Sequence, residues 1–231
     1  MKRISWRRGV WALALAACLG PVSGCSILGL AYFVGLMVGM ETREKPKFGF
    51  PEEQSLRIVV VTRTDFGSQI ELGAVDRELN EMVARKLFEG FDGEKKLKQV
   101  KVIKATKVAK WQDEHPNWHG LEPVEVGRAF QADYVIYLEV LGLNLYEDGA
   151  TRNLYHGRTD VAITVVKVDD SDGEQLHQEE LHFEYPINRP IPSADLSLAR
   201  FRREFLGRLA DQVSWYFVPH EQVYNPGADR F

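Results

Sequence analysis

At 231 residues, with 45% apolar, 11% aromatic and 27% charged residues, the chain suits one globular domain of about 150–200 residues plus additional segments, and it is neither disordered nor polytopic. The formal net charge is -4, but the first 24 residues hold Lys2, Arg3, Arg7 and Arg8 and no acid, so the remainder carries 25 basic against 33 acidic residues, a net of -8. An acidic body argues against a nucleic-acid footprint, and no nucleic acid is expected as a partner.

The amino-terminus has three parts in order. Met1 to Arg8 is cationic, Val10 to Leu19 is an apolar core of signal-peptide length, and Gly20-Pro21 breaks any helix before V-S-G-C. Val22, Ser23, Gly24 and Cys25 resemble, position for position, the lipobox of bacterial lipoproteins, although Leu is commoner than Val at the first place. The resemblance implies that residues 1–24 are removed as a signal peptide and that Cys25 carries a diacylglycerol on sulfur and an acyl group on the new amine. The chemistry needs a thiol, because the thiolate is the competent nucleophile. Cys18 falls in the discarded core, so the mature domain holds no free thiol and is expected to be stabilised by its core alone.

Residues 25–40 join the lipidated cysteine to an apolar stretch, Ser26 to Met40, where a polar tether is more usual in lipoproteins. Fifteen helical residues span about 22 Å, short of a hydrocarbon core of roughly 30 Å. The stretch either lies at the interface or packs beside the acyl chains or, without cleavage, joins residues 10–24 as one long signal anchor. Both readings place the positive end inside and residues 41 onward outside the cytoplasmic membrane. Ser26 after the cysteine fits, by analogy with enteric bacteria, sorting to the outer membrane facing the periplasm. Residues 41–55 are charged, contain Pro46 and Pro51, and read as an extended spacer.

The globular domain is expected over residues 56–218, with a tail at 219–231. Leu56 to Thr62 is a β-branched run of buried-strand type. From Glu71, apolar residues at Leu72, Val75, Leu79, Met82, Val83 and Leu87 mark an amphipathic helix ending near Gly90 and Gly93. Val100 to Ala105 alternates as a strand, Trp111 to Gly120 reads as a loop, and a helix starts near Pro123. Ala132 to Tyr146 is apolar on both faces over its first half, as a central strand would be. His156 to Val168 and Gln175 to Tyr185 follow as strands joined by a turn at Asp170 to Gly173, whose Asp172-Gly173 pair favours a hairpin. Leu198, Phe201, Phe205, Leu209, Val213 and Phe217 mark a long final helix. The fold class expected is α/β: a mixed five-stranded sheet, strand-helix-strand-helix followed by an antiparallel three-strand meander, with the carboxy-terminal helix packed on it.

The run Val124 to Val140, V-E-V-G-R-A-F-Q-A-D-Y-V-I-Y-L-E-V, is similar to the helix, turn and strand of a group of bacterial envelope domains. They include the TolB amino-terminal domain, the curli-secretion lipoprotein and the lipoprotein activator of a penicillin-binding protein. The element order also looks like theirs, and it looks closest to uncharacterised lipoproteins carrying that domain, with Leu154 to Val161 opening the second meander strand. Gln131 departs from the pattern, standing where Gly is typical, and nothing matches the membrane-inserting segments of the curli pore. The resemblance implies docking to other envelope proteins, with no catalytic residues and no cofactor.

No catalytic constellation emerges from the residues themselves. His115 and His119 are spaced i,i+4, but Pro116 stands where a zincin helix needs Glu, so no metal is expected. His177 and His182, five apart on a strand, point to opposite faces. Aligning Gly173 to the invariant Gly of a calcium loop puts Val168 at the first ligand position. There is no G-x-S-x-G, P-loop or dinucleotide fingerprint, and no small-molecule substrate is indicated. An interaction module is therefore expected, the alternatives being a signal-anchored envelope protein or a periplasmic hydrolase with an unrecognised site. The candidate interface is the loop bounded by Tyr146 and Tyr155, of interface-like composition; the competing reading is that the two tyrosines simply end strands.

Overall fold

A computed structural model describes residues 43–52, 55–64, 74–149, 152–169 and 173–221. The signal sequence, Cys25 and the apolar stretch after it lie outside the described residues, as do Asp170, Ser171 and Asp172 of the expected turn.

The chain runs β1 (Arg57–Thr64), α1 (Val75–Gly93), β2 (Lys101–Val102), α2 (Ala105–Glu114), a 3-10 turn (Trp118–Gly120), α3 (Pro123–Ala129), β3 (Tyr134–Tyr146), β4 (Leu154–Lys167), β5 (Glu174–Tyr185), β6 (Ile191–Pro192) and α4 (Leu198–Trp215). The sheet order is β2-β1-β3-β4-β5, with β6 added against the start of β4. Strands β2 and β3 flank β1 in parallel, while β3, β4 and β5 form an antiparallel meander. The expected mixed sheet with its meander is thus the fold, and Ile191–Pro192 adds a sixth short strand.

Strand alternation divides the core between the two faces of the sheet. Ile58 and Val60 of β1, Ile136 and Leu138 of β3, and Val161 and Ile163 of β4 are fully buried with the apolar stripes of α1 and α4. Val59 and Val61 of β1 and Val135 of β3 point the other way, into a smaller cluster with Val108 of α2 and Val126 of α3. Helices therefore cover both faces, which is why β1 reads as an unbroken apolar run. Phe205 and Leu209 are both 0% exposed, as the stripe of α4 requires. Burying side chains of this size stabilises by roughly 1.5–3 kcal/mol each.

Local chemistry fixes several boundaries. A capping box closes α3, with Glu122 and Glu125 each satisfying the other's backbone N–H and Pro123 in the first turn. Ser197 caps α4, its hydroxyl accepting from the Arg200 backbone N–H at 3.4 Å. Gln131 holds a left-handed backbone at φ 50° between α3 and β3. Its side-chain oxygen accepts from Arg57 at 3.2 Å, and Arg57 also donates to the Phe130 carbonyl at 2.8 Å. This clamp ties the turn to β1.

Two segments differ from the sequence expectation. The strand expected over Val100 to Ala105 pairs only through Lys101 and Val102, and Ala105 starts a ten-residue helix that absorbs Trp111 to Glu114 of the expected loop. Within residues 41–55, Phe50 is 4% exposed, and its ring packs against Phe91, Tyr134 and Phe217. The Phe48 N–H donates to the Tyr216 carbonyl at 2.8 Å, and Lys47 donates to Glu179 at 2.7 Å. The Lys47 hydrogen bond holds the Glu179 carboxyl below its ordinary range. The two phenylalanines thus extend the packed body towards the amino-terminus.

Candidate interaction site

The meander ends where three separate stretches converge. Tyr146 closes β3 and is the register partner of Tyr155 in β4, their ring centroids 5.6 Å apart. Tyr155 is 5% exposed and stacks on Phe201 of α4 at 4.9 Å with 13° between planes. Burial, and secondarily the neighbouring Tyr146, pushes the Tyr155 phenol above its ordinary value. Tyr185, the last residue of β5, stacks on the same Phe201 at 6.0 Å and 19°. Of the two tyrosines read from the sequence, Tyr155 is a core ring and Tyr146 is half-buried, with the Arg152 guanidinium 5.2 Å over its face. The structure brings the pair together and leaves Tyr146 as the accessible member.

The third stretch carried no expectation. After β5 the chain enters Pro186 through a cis peptide bond and passes Ile187, Arg189 and Pro190 before β6. Ile191 and Pro192 then pair with Tyr155 and Leu154, and the Ser193 N–H donates to the Asn153 carbonyl at 2.8 Å. This loop and the amino-terminal half of α4 enclose an open cleft of about 600 Å³. Tyr185, Arg189, Pro190, Pro192, Arg200 and Arg208 line it together with Asp195 and Glu204. Arg200 pairs with Glu204 at 3.1 Å, and the Arg208 guanidinium sits 4.5 Å over the Tyr185 ring. Ile187, beside the cleft, is 69% exposed. Tyrosine and arginine on one open surface are residue types enriched in protein contacts.

The neighbouring open face of the meander is polar. His156 lies between Glu147 on Nδ1 and Glu184 on Nε2, the latter at 2.5 Å, and Arg158 pairs with Asp148 at 2.8 Å. Further along, the Asp160 carboxylate meets His182 at 2.5 Å and raises the imidazole above its ordinary value, chiefly through that hydrogen bond. His177 lies on the other face against Phe48, with ring centroids 5.8 Å apart, so the two strand histidines diverge as the spacing requires. His115 stacks on Trp111 at 4.6 Å, and His119 lies against Trp118 at 4.0 Å. Burial, followed by the charge of Arg63, lowers the His119 imidazole below its ordinary value. Among the described residues no group of three or more His, Cys, Asp or Glu side chains could hold a metal ion, and no helix is long and apolar enough to cross a membrane.

No protein-family model matches the chain. No curated protein matches it either. Several solved structures are similar to it at low identity. Lipoprotein GNA1162 from Neisseria meningitidis is 15% identical, over 69% of this chain and 98% of that one, with a TM-score of 0.36. A PelC dodecamer from Paraburkholderia phytofirmans is 14% identical, over 76% and 98%, with a TM-score of 0.40. A hypothetical protein from Chlamydia trachomatis is 16% identical, over 71% and 98%, with a TM-score of 0.37.

Proposed function

We propose that the chain is a lipid-anchored protein of the bacterial cell envelope that works by contact, as an interaction or assembly module, and not by catalysis. The reading rests chiefly on the open cleft between the 186–192 loop and α4, lined by Tyr185, arginines and prolines and built on the stack of Tyr185 and Tyr155 on Phe201, with half-buried Tyr146 next to Tyr155. A rigid apolar base beneath accessible Tyr and Arg side chains limits the entropy lost on docking. The partners are other envelope proteins, within the class of docking domains that TolB, the curli-secretion lipoprotein and the penicillin-binding-protein activator represent. Acylated Cys25 supplies the membrane attachment, on the outer membrane facing the periplasm. The spacer reaches at most roughly 50 Å, and the packing of Phe48 and Phe50 shortens that reach, so the partner lies close to the same membrane.

Two measurements on the full chain test this. Cys25→Ser should abolish lipid labelling and leave an unprocessed precursor; labelling that persists would refute the anchor. Capture from cross-linked envelopes should recover a defined envelope protein with the wild type, and lose it with Tyr146→Ala combined with Arg189→Ala. Equal recovery by the folded double variant would refute the surface.

A further inference from the structure

The two edges of the sheet carry opposite charge. At one edge, β2 is only two residues long, and the cleft beside it, about 660 Å³, is lined by Arg57, Lys98, Lys101, Lys104 and Lys107 against one acid, Asp92. The four lysines are exposed, and none makes an ion pair among the described residues. Phe88, on the α1 wall of this cleft, is 57% exposed and gives the basic surface an apolar anchor. At the other edge, β5 holds no Lys or Arg and four glutamates, of which Glu179 is engaged by Lys47 and Glu184 by His156, while Glu174 and Glu180 make no ion pair among the described residues. Its outer side is unpaired among the described residues.

Charges of one sign on both edges would keep copies of a sheet apart, which is the usual protection of open edges. Opposite signs on the two edges have the reverse effect. We propose that this chain associates head to tail with further copies of itself, the acidic β5 edge of one copy seated at the basic β2 edge of the next. The contact is heterologous: each copy keeps one edge of each sign unsatisfied until a ring closes or a row ends. Because the attraction is between exposed charges, it weakens as salt shortens the screening length from about 30 Å at 0.01 M to about 8 Å at 0.15 M. Tyr185, the last residue of β5, also lines the Tyr-Arg-Pro cleft, so the contact is placed towards the Glu174–Glu180 end of the strand.

The test uses the full chain in detergent micelles at low ionic strength, with zero-length carboxylate-to-amine cross-linking and mapping of the joined residues. Wild type should give intermolecular links between Lys101, Lys104 or Lys107 and Glu174 or Glu180, in species larger than a dimer that decline with added salt. Lys101→Glu with Lys104→Glu and Lys107→Glu should lower those species at least tenfold, and so should Glu174→Lys with Glu180→Lys. Mixing the two charge-reversed variants should restore them, because each then presents an edge complementary to the other; a folding defect would not be repaired by mixing. A wild type that stays monomeric at low salt, links that map elsewhere, or reversed variants that fail to recover on mixing would each overturn the proposal. Binding of anionic vesicles by the lysine edge without any self-association would overturn it as well.

Discussion

Tyr155 lies flat on Phe201, the ring centroids 4.9 Å apart and the planes within 13°, while its cross-strand partner Tyr146 keeps part of its ring in solvent. The two tyrosines of one hairpin therefore divide the work. Tyr155→Ala should cost about 3–5 kcal/mol, as for other buried aromatics truncated to alanine, and lower the chemical-denaturation midpoint. Tyr146→Ala should cost less than half as much while removing the partner contact. Equal destabilisation by the two would contradict this division.

Gly157 of β4 marks a close approach of the sheet to α4. A Cβ there would fall 2.2 Å from Cδ2 of Phe205, whereas a Cβ on Gly207, in α4 itself, meets nothing within 4 Å. Gly157→Ala should destabilise by about 1–3 kcal/mol, because the Phe205 ring must leave its place. Gly207→Ala should stabilise by about 0.5–1 kcal/mol through the entropy of the helix interior. Thermal unfolding of the two variants side by side checks the opposite signs.

Gln131 carries a left-handed backbone without being glycine. Gln131→Gly relieves a conformational cost of about 1–2 kcal/mol, offset by loss of the 3.2 Å hydrogen bond from Arg57, which is exposed and worth about 0.5–1.5 kcal/mol. A small net gain in stability is expected, measurable by urea denaturation. A loss above about 1 kcal/mol would mean that the Arg57 clamp outweighs the relief of the backbone.

His182 is raised by its hydrogen bond to Asp160. A raised folded-state value means that the interaction contributes fully below the unfolded histidine value, near 6.5, and is lost as pH rises through the higher folded value. Imidazole proton resonances should therefore titrate above 6.5 in the wild type and return towards it in Asp160→Asn. An unchanged midpoint in that variant would contradict the pairing.

The sheet was legible because its strands obey strong rules: the two-faced apolar run of β1, the alternation of β4, and the three-and-four spacing of α1 and α4. Helix α2 was not, because only Val108 and Gln112 of its ten residues are buried, too narrow a stripe to outweigh the strand-like run before it. Phe48 and Phe50 were absorbed into a spacer defined by its prolines and charges; an F-x-F pair inside a charged segment was the available signal. Tyr146 and Tyr155 drew attention by bounding a polar loop; both lie at strand ends, as the competing reading held, and Tyr155 is buried. The cleft beside them was not legible, because Ile191 and Pro192 meet Tyr155 and Leu154 across a long stretch of chain, and no local pattern encodes that pairing. The stacking of Tyr185 and Tyr155 on Phe201 is equally a product of tertiary contact.

In the proposed function the chain acts by contact through the surface around Tyr146 and Arg189. The direct test places a photo-activated cross-linking residue at Tyr146, at Arg189 and, as a control on the α2 side, at His115 in the full chain within intact envelopes. We predict that positions 146 and 189 join the same envelope protein and that position 115 does not. Adducts at position 115 alone, or none at 146 and 189 in a protein that is folded and anchored, would contradict the account.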